Sequence, residues 1–148
     1  MSILSNFSET LAELMLIHNL KAEDLSKLIP IERSTITRHL EGKTIPTLPN
    51  AIEIANFFEC SLDYLFCLTN KYEKKKYLPC PPFSLAFQEI LKSNKCTRYR
   101  LGKDIKYPNN TLIDWFYGKR IPRMDNVIKI ADYFGCTLDE LVGRKSVD

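Results

Sequence analysis

Apolar positions recur along the chain with the period of a helix, and the pattern is written twice. Phe7, Leu11 and Leu14 fall at i, i+4 and i+7, and Phe83, Phe87 and Ile90 repeat that spacing, which lines one face of a helix. A second helix is predicted over about 22–29 and 98–105, with Thr97 as a good N-cap in the later one. A third is predicted over about 33–41 and 109–117, stopped by Gly42 and Gly118, since glycine takes the left-handed C′ conformation cheaply. A fourth covers about 48–58 and 124–134, where Ala55 and Ala131 permit close helix approach. The fifth starts at Ser61 and Thr137, and Thr137 with Glu140 fits a capping box. No segment alternates with the period of a strand. The pattern predicts an all-α protein.

The duplication is explicit in the residues. At an offset of 76, Phe7 to Cys67 aligns without a gap to Phe83 to Gly143, and 20 of the 61 positions are identical. Shared residues include Leu25/Leu101, Ile29/Ile105, Thr35/Thr111, Ile45/Ile121, Pro46/Pro122 and Ala55/Ala131. Chance does not produce a third identity over such a length. Two domains are therefore expected, 1–69 and 83–148, joined by a Lys/Pro-rich linker over 70–82. Each domain is near the lower size limit for an independent core. The Lys71–Lys76 cluster can prolong the preceding helix by a turn or two. The Leu78–Pro82 stretch must be extended, because each proline fixes its own φ and restricts the residue before it.

Composition narrows the class. With 148 residues, 45% hydrophobic and 26% charged, the chain is of the folded, globular kind. It has neither an apolar run long enough to span a membrane nor a secretory leader at its start, so a cytoplasmic location is expected. The five cysteines form no CxxC pair and the two histidines supply no paired metal ligands; reduced thiols and no metal or cofactor are expected. No Gly-rich phosphate loop, GxSxG or HExxH is present, so an enzyme is not expected. Charge is uneven. Residues 1–70 hold five Lys/Arg against nine Asp/Glu, a net of −4, whereas 71–82 carry +3 and 83–148 carry +4. A surface for a polyanion would centre on the second half and the linker.

The segments LSKLIPIERSTITRHLEGKTIP (25–46) and LGKDIKYPNNTLIDWFYGKRIP (101–122), each followed by two more helices, resemble the lambda-repressor-like (XRE, Cro/repressor-type) helix-turn-helix family. The closing Phe-x-Cys-[Ser/Thr]-Leu-Asp-x-Leu of both copies is similar to the family's end. The resemblance covers nearly the whole of both repeats and implies two tandem five-helix domains. It further implies a sequence-specific, double-stranded-DNA-binding transcriptional regulator of the repressor kind, at work on the bacterial nucleoid. Three departures stand out. The family's turn glycine is replaced by Pro30 and Lys106. The Gln that often opens its second helix is replaced by Ala22 and Arg98. Its Arg–Glu pair between helices 1 and 3 is replaced by Met15 with Leu40 and Leu91 with Phe116, an apolar contact that clamps the same helices without desolvating charge.

In the family the third helix enters the major groove. Carried over by position, the base readers of the first repeat are Glu32, Arg33, Ser34, Thr37 and Arg38, and Arg33 or Arg38 suits guanine O6/N7. In the second repeat they are Pro108, Asn109, Asn110, Ile113 and Asp114. Asn109 and Asn110 suit adenine, Ile113 a thymine methyl, and Asp114 cytosine N4. The phosphate clamps implied are Lys43 in the first repeat and Arg98, Lys119, Arg120 and Arg123 in the second. His39 and Trp115 hold equivalent places and read as packing residues. Cys60 and Cys136 read as small core residues.

Half-sites one turn apart lie about 34 Å centre to centre. The fourteen residues from Thr69 to Pro82 extend to at most roughly 46–50 Å, so one chain with a mobile linker reaches two half-sites, a homodimer being the other arrangement. A competing reading makes the acidic first repeat a protein-interaction or dimerisation module, leaving DNA to the second. Ala22, Pro30 and the local −4 favour it, and exposure of Phe57, Tyr64 and Phe66 as an apolar patch would support it. No third domain is visible to sense a ligand, so no small-molecule ligand is expected.

Overall fold

The structure, a computed structural model, describes residues 2–147. Among them are ten helices and no strand beyond a single antiparallel bridge between Tyr77 and Ser146. The chain divides into two compact units, one ending at Lys76 and one spanning Tyr77–Val147. All-α architecture, in two tandem helical domains, is what the periodicity predicts.

Unit 1 contains α1 (Ile3–Ile17), α2 (Ala22–Leu28), α3 (Arg33–Leu40), α4 (Leu48–Phe57) and α5 (Leu62–Leu65). Ser2, Thr47 and Ser61 cap α1, α4 and α5 by accepting from backbone N–H groups three residues on. The predicted face of α1 is buried: Phe7, Leu11 and Leu14 have no exposed surface, and neither have Leu25, Ile36, Ile54, Leu62 and Leu65. Phe7 stacks on Phe66 with ring centroids 5.4 Å apart and meets His39 edge-on at 5.3 Å. One fully buried aromatic of this kind stabilises a fold by about 1.5–3 kcal/mol.

Unit 2 contains α6 (Phe83–Ser93), α7 (Arg98–Ile105), α8 (Asn109–Tyr117), α9 (Met124–Phe134) and α10 (Leu138–Val142). Thr97 caps α7 by accepting from the Arg100 N–H at 3.1 Å. Thr137 and Glu140 form the capping box of α10, Thr137 accepting from the Glu140 N–H and Glu140 from the Thr137 N–H. Its core is Phe87, Leu101, Leu112, Val127, Ile130 and Leu141, with Trp115 set edge-on between Phe87 and Tyr107.

The two units build the turn before the third helix in different ways. In unit 1 Pro30 cannot take positive φ, so α2 stops a residue earlier than its counterpart. Ile29 is extended (φ −133°, ψ 155°), and the Ile31 N–H reaches back to the Ile29 carbonyl at 2.8 Å. Both isoleucines are buried and pin the turn. In unit 2 Lys106 adopts the left-handed conformation (φ 60°, ψ 46°), and Tyr107 N–H bonds Gly102 O at 3.0 Å. Gly102 lets α8 pack close against α7, since a Cβ there would sit 2.6 Å from a methyl of Leu112.

Two expectations need correction. The Lys71–Lys76 cluster does not prolong α5. Cys67 turns left-handed (φ 61°), and the Leu68 N–H bonds the Asp63 carbonyl at 2.8 Å, which closes the helix. The chain then runs non-helical along unit 1, where the Tyr72 hydroxyl donates to Phe58 O at 2.6 Å and Lys75 N–H to Glu59 O at 2.9 Å. From Tyr77 the same segment lies on unit 2, with Leu78 N–H on Lys145 O at 2.8 Å. Most of the stretch read as a linker is thus taken up by one unit or the other. The second correction concerns the apolar patch suggested for the first repeat. Phe66 is buried inside unit 1, and Phe57 and Tyr64 are half-buried. The large apolar side chains that unit 1 does expose are Leu16, Ile17, Leu28 and Leu68, with Tyr72 exposed to a lesser degree.

Candidate nucleic-acid interface

On α3 the residues Ile36 and His39 are buried, three apart, and fix the helix to the core. That anchoring turns Arg33, Ser34, Thr37 and Arg38 to solvent, together with Glu32 at the N-cap. On α8 the counterparts Leu112 and Trp115 are buried, Asn109 and Asn110 are exposed after Pro108, and Ile113 and Asp114 are half-buried. The base-reading candidates of each repeat are thus brought onto one helix face.

The third helices are held from behind by the first. Among the helix contacts within each unit are α1 on α3 and α6 on α8. Gln88 Nε2 donates to the Phe116 carbonyl at 2.8 Å. Met15 and Leu91 are buried, and Leu40 and Phe116 half-buried, so apolar groups stand where charges would have to be desolvated. His39 is tied down separately. Its Nδ1 lies 3.1 Å from Thr44 O and 2.8 Å from Thr44 Oγ1, while Nε2 is buried without a partner among the described residues. Burial, opposed by the Thr44 carbonyl and aided by nearby Arg38, holds the imidazole below its ordinary pKa.

The cations differ between the units. Lys43 is exposed, 3.5 Å from Glu41. Lys119 is exposed, following directly on the left-handed Gly118 that ends α8. Arg120 pairs with Asp114 (Nε to carboxylate 3.0 Å) while remaining largely in solvent, and Arg123 lies 3.7 Å from Asp125. Arg98 takes a posture that sequence reasoning missed. Its guanidinium carbon is 4.5 Å from the Phe116 ring centroid and 5.4 Å from that of Tyr117, and Nη1 is buried. The apolar Phe116 seen in the sequence was the available signal: a residue that replaces an anion near the end of helix 3 still offers a π face to an arginine. Beyond these, Tyr133 donates to Asp104, which pushes the tyrosine up to about 12 and lowers the carboxyl of Asp104.

Among the described residues no group of three or more His, Cys, Asp or Glu side chains is arranged to hold a metal ion. No helix there is long and apolar enough to cross a membrane. Cys60 is fully buried and Cys136 half-buried, and none of the five cysteines is in a disulfide.

Comparison with known proteins agrees with this geometry. The helix-turn-helix family profile matches twice, at residues 11–65 and 87–141. The chain is similar to an uncharacterized HTH-type transcriptional regulator of Methanocaldococcus jannaschii, with 40% identity over 50 residues, which is 34% of this chain and 76% of that protein. No solved structure gives a significant match. The two profile matches fall on α1–α5 and α6–α10, so the chain belongs to the helix-turn-helix family and carries two copies of its domain in tandem.

Proposed function

We propose that the chain is a transcriptional regulator that binds double-stranded DNA sequence-specifically by laying α3 and α8 in major grooves, and that it represses by occupying its operator. The anchoring pattern of the two helices carries this reading: Ile36 with His39, and Leu112 with Trp115, are buried while the neighbouring polar side chains face solvent. Arg33 and Arg38 are suited to guanine, Asn109 and Asn110 to adenine, Ile113 to a thymine methyl and Asp114 to cytosine N4. Ser34 and Thr37 complete the first set. Because the two sets differ, the two half-sites differ in sequence. A regulator of this kind acts on the chromosome in the cytoplasm, as one chain on two half-sites or as a homodimer. No catalytic step is assigned to it.

Phosphate affinity belongs mainly to unit 2. Where it carries Arg98, Arg100, Arg120 and Arg123, unit 1 has Ala22, Asp24, Thr44 and Thr47 at the same repeat positions. Lys119, Arg120 and Arg123 are exposed just beyond α8, and Arg98 is held by Phe116 at the start of α7, where the helix N-terminus favours an anion. Lys43 is the one such cation of unit 1 and shares its surroundings with Glu41.

A second reading has a specific observation behind it. Leu16 and Ile17 are 81% and 67% exposed on unit 1, whose sequence carries the −4 charge; this suits a protein partner for unit 1, with DNA left to unit 2.

Selection from a random DNA pool tests the function, and enrichment of a bipartite sequence is expected. Failure to enrich any sequence at low salt would sink it. Salt titrations of Lys119→Ala/Arg120→Ala against Arg33→Ala/Arg38→Ala divide the labour. The first pair is expected to reduce the salt slope by about 0.9, the share of Lys119, because Arg120 is held by Asp114, and the second to relax base preference. Equal losses from both pairs would reject the asymmetry.

A further inference from the structure

An apolar groove of about 430 Å³ opens on unit 2, a size within the range of small-molecule sites. It lies between the outer face of α6, through Leu85 and Ile90, and the arm ahead of that helix, through Leu78 and Pro81. Leu85 and Leu78 are about half exposed. Two carboxylates, Glu89 and Glu140, stand on its lining against a single ammonium, Lys145. None of these residues belongs to the face assigned to DNA.

The internal duplication indicates what such a space accepts. At the repeat offset, Ala86, Glu89, Glu140 and Gly143 of the groove correspond to Thr10, Glu13, Tyr64 and Cys67. In unit 1 one of the four, Tyr64, is an aromatic ring, with Glu13 and Cys67 near its hydroxyl. Tyr64 packs edge-on against Tyr72 at 4.9 Å. Burial, with Glu13, Cys60 and Cys67 nearby, holds its hydroxyl above the ordinary pKa. Thr10 Oγ1 and Cys67 Sγ meet at 3.1 Å. Unit 1 thus fills the place with its own side chains.

Unit 2 leaves it open. Alanine replaces Thr10, glycine replaces Cys67, and the ring is replaced by Glu140, whose carboxylate turns back to accept the Thr137 N–H at 2.9 Å. Gly143 is required, because a Cβ there would come 2.8 Å from Pro81. We infer that the groove is a binding site for a small aromatic molecule carrying a cationic amine, its ring taking the place of Tyr64 and its amine set against Glu89 and Glu140. Ring burial supplies the affinity and the excess of carboxylates selects the charge. A ligand of this size binds with a Kd of roughly 10–1000 µM. This site stands independently of whether α8 reads DNA.

The test titrates the full chain with tryptamine, indole and indole-3-acetate, followed by backbone amide NMR. Tryptamine is expected to give saturable shifts confined to Leu85–Ser93 and Glu140–Lys145, with indole at least fivefold weaker and indole-3-acetate weaker still. Glu89→Gln should bring tryptamine to within about twofold of indole. Glu140→Tyr restores the ring of unit 1 and should abolish binding of all three. Since it also removes a cap, Leu85→Arg, on an exposed position, serves as a second blocking variant, with the Trp115 signal as the check on folding. The inference is overturned by the absence of saturable shifts, by shifts centred elsewhere, or by indole-3-acetate binding as well as tryptamine. It is equally overturned by a concentration-dependent dimer that Leu85→Arg dissolves, which would assign the groove to a second copy of the chain.

Discussion

The guanidinium of Arg144 lies 3.5 Å from the ring centroid of Tyr77, while its Nη1 bonds the Asp139 carboxylate at 3.0 Å. The arginine side chain is fully buried and Asp139 nearly so. Two groups 67 positions apart in sequence are thus locked at the end of unit 2, where the Tyr77–Ser146 bridge joins the arm to the tail. A charge sealed from water must keep its partner, since removing one side leaves the other desolvated.

Arg144→Met is therefore expected to destabilise unit 2 by about 3–5 kcal/mol, the usual cost of breaking a buried pair. Tyr77→Leu should cost about 1–2 kcal/mol, the cation–π part alone. Trp115 is the chain's single tryptophan and sits in the unit 2 core, so urea unfolding followed by its fluorescence reads this unit separately. A loss under 1 kcal/mol for Arg144→Met would show that the pair is open to water.

Unit 1 should weaken on mild acidification. His39 is buried at the end of α3 with its pKa held below the ordinary 6.5, chiefly by burial. The unfolded chain therefore takes up the proton more readily than the folded one. Stability is complete above pH of about 6.5 and declines as the pH falls below it. His39→Phe, which keeps a ring beside Phe7, should flatten the profile between pH 7 and 5. Urea unfolding followed by amide signals of α1 measures it, and an unchanged slope in the variant would exclude His39 as its source.

Lys106→Gly should stabilise unit 2. Lys106 ends α7 in the left-handed conformation, exposed and without a turn glycine. A non-glycine residue there costs about 1–2 kcal/mol, partly offset by the greater freedom of glycine when unfolded. A net gain of about 0.5–1 kcal/mol in Trp115-monitored unfolding is expected. At Pro30 the same replacement should destabilise, because the turn of unit 1 contains no left-handed residue at that place.

How far the sequence is legible differs from place to place. The helices around Thr97, Gly118 and Thr137 have the expected bounds because caps and glycines act locally. The end of α5 was missed for the opposite reason: Cys67 takes a conformation that a cysteine does not advertise, although Gly143 at the matching position was a visible hint. The exposed faces of α3 and α8 follow from the helical period. What Arg98 and Arg144 do with their charges depends on rings brought close by folding, Phe116 and Tyr77, and no spacing along the chain encodes that. The groove of unit 2 was equally invisible, since it is made by a proline arm lying beside a helix.

Asp114 provides the sharpest test of the α8 face. Its carboxylate holds Arg120 at 3.0 Å on the side assigned to DNA, so a negative charge sits among the cations proposed to bind phosphate. Asp114→Asn removes the repulsion and frees Arg120 for a phosphate. Binding to arbitrary duplex DNA is expected to tighten several-fold, and the salt slope to steepen by up to about 0.9 for one added phosphate contact. The selected sequence should at the same time lose its preference at the base pair that Asp114 reads, since an acceptor for cytosine N4 gives way to a side chain that suits adenine. Tighter binding with unchanged preference would mean that Asp114 only restrains Arg120. If neither affinity nor preference moved, α8 would not be the helix that meets the duplex.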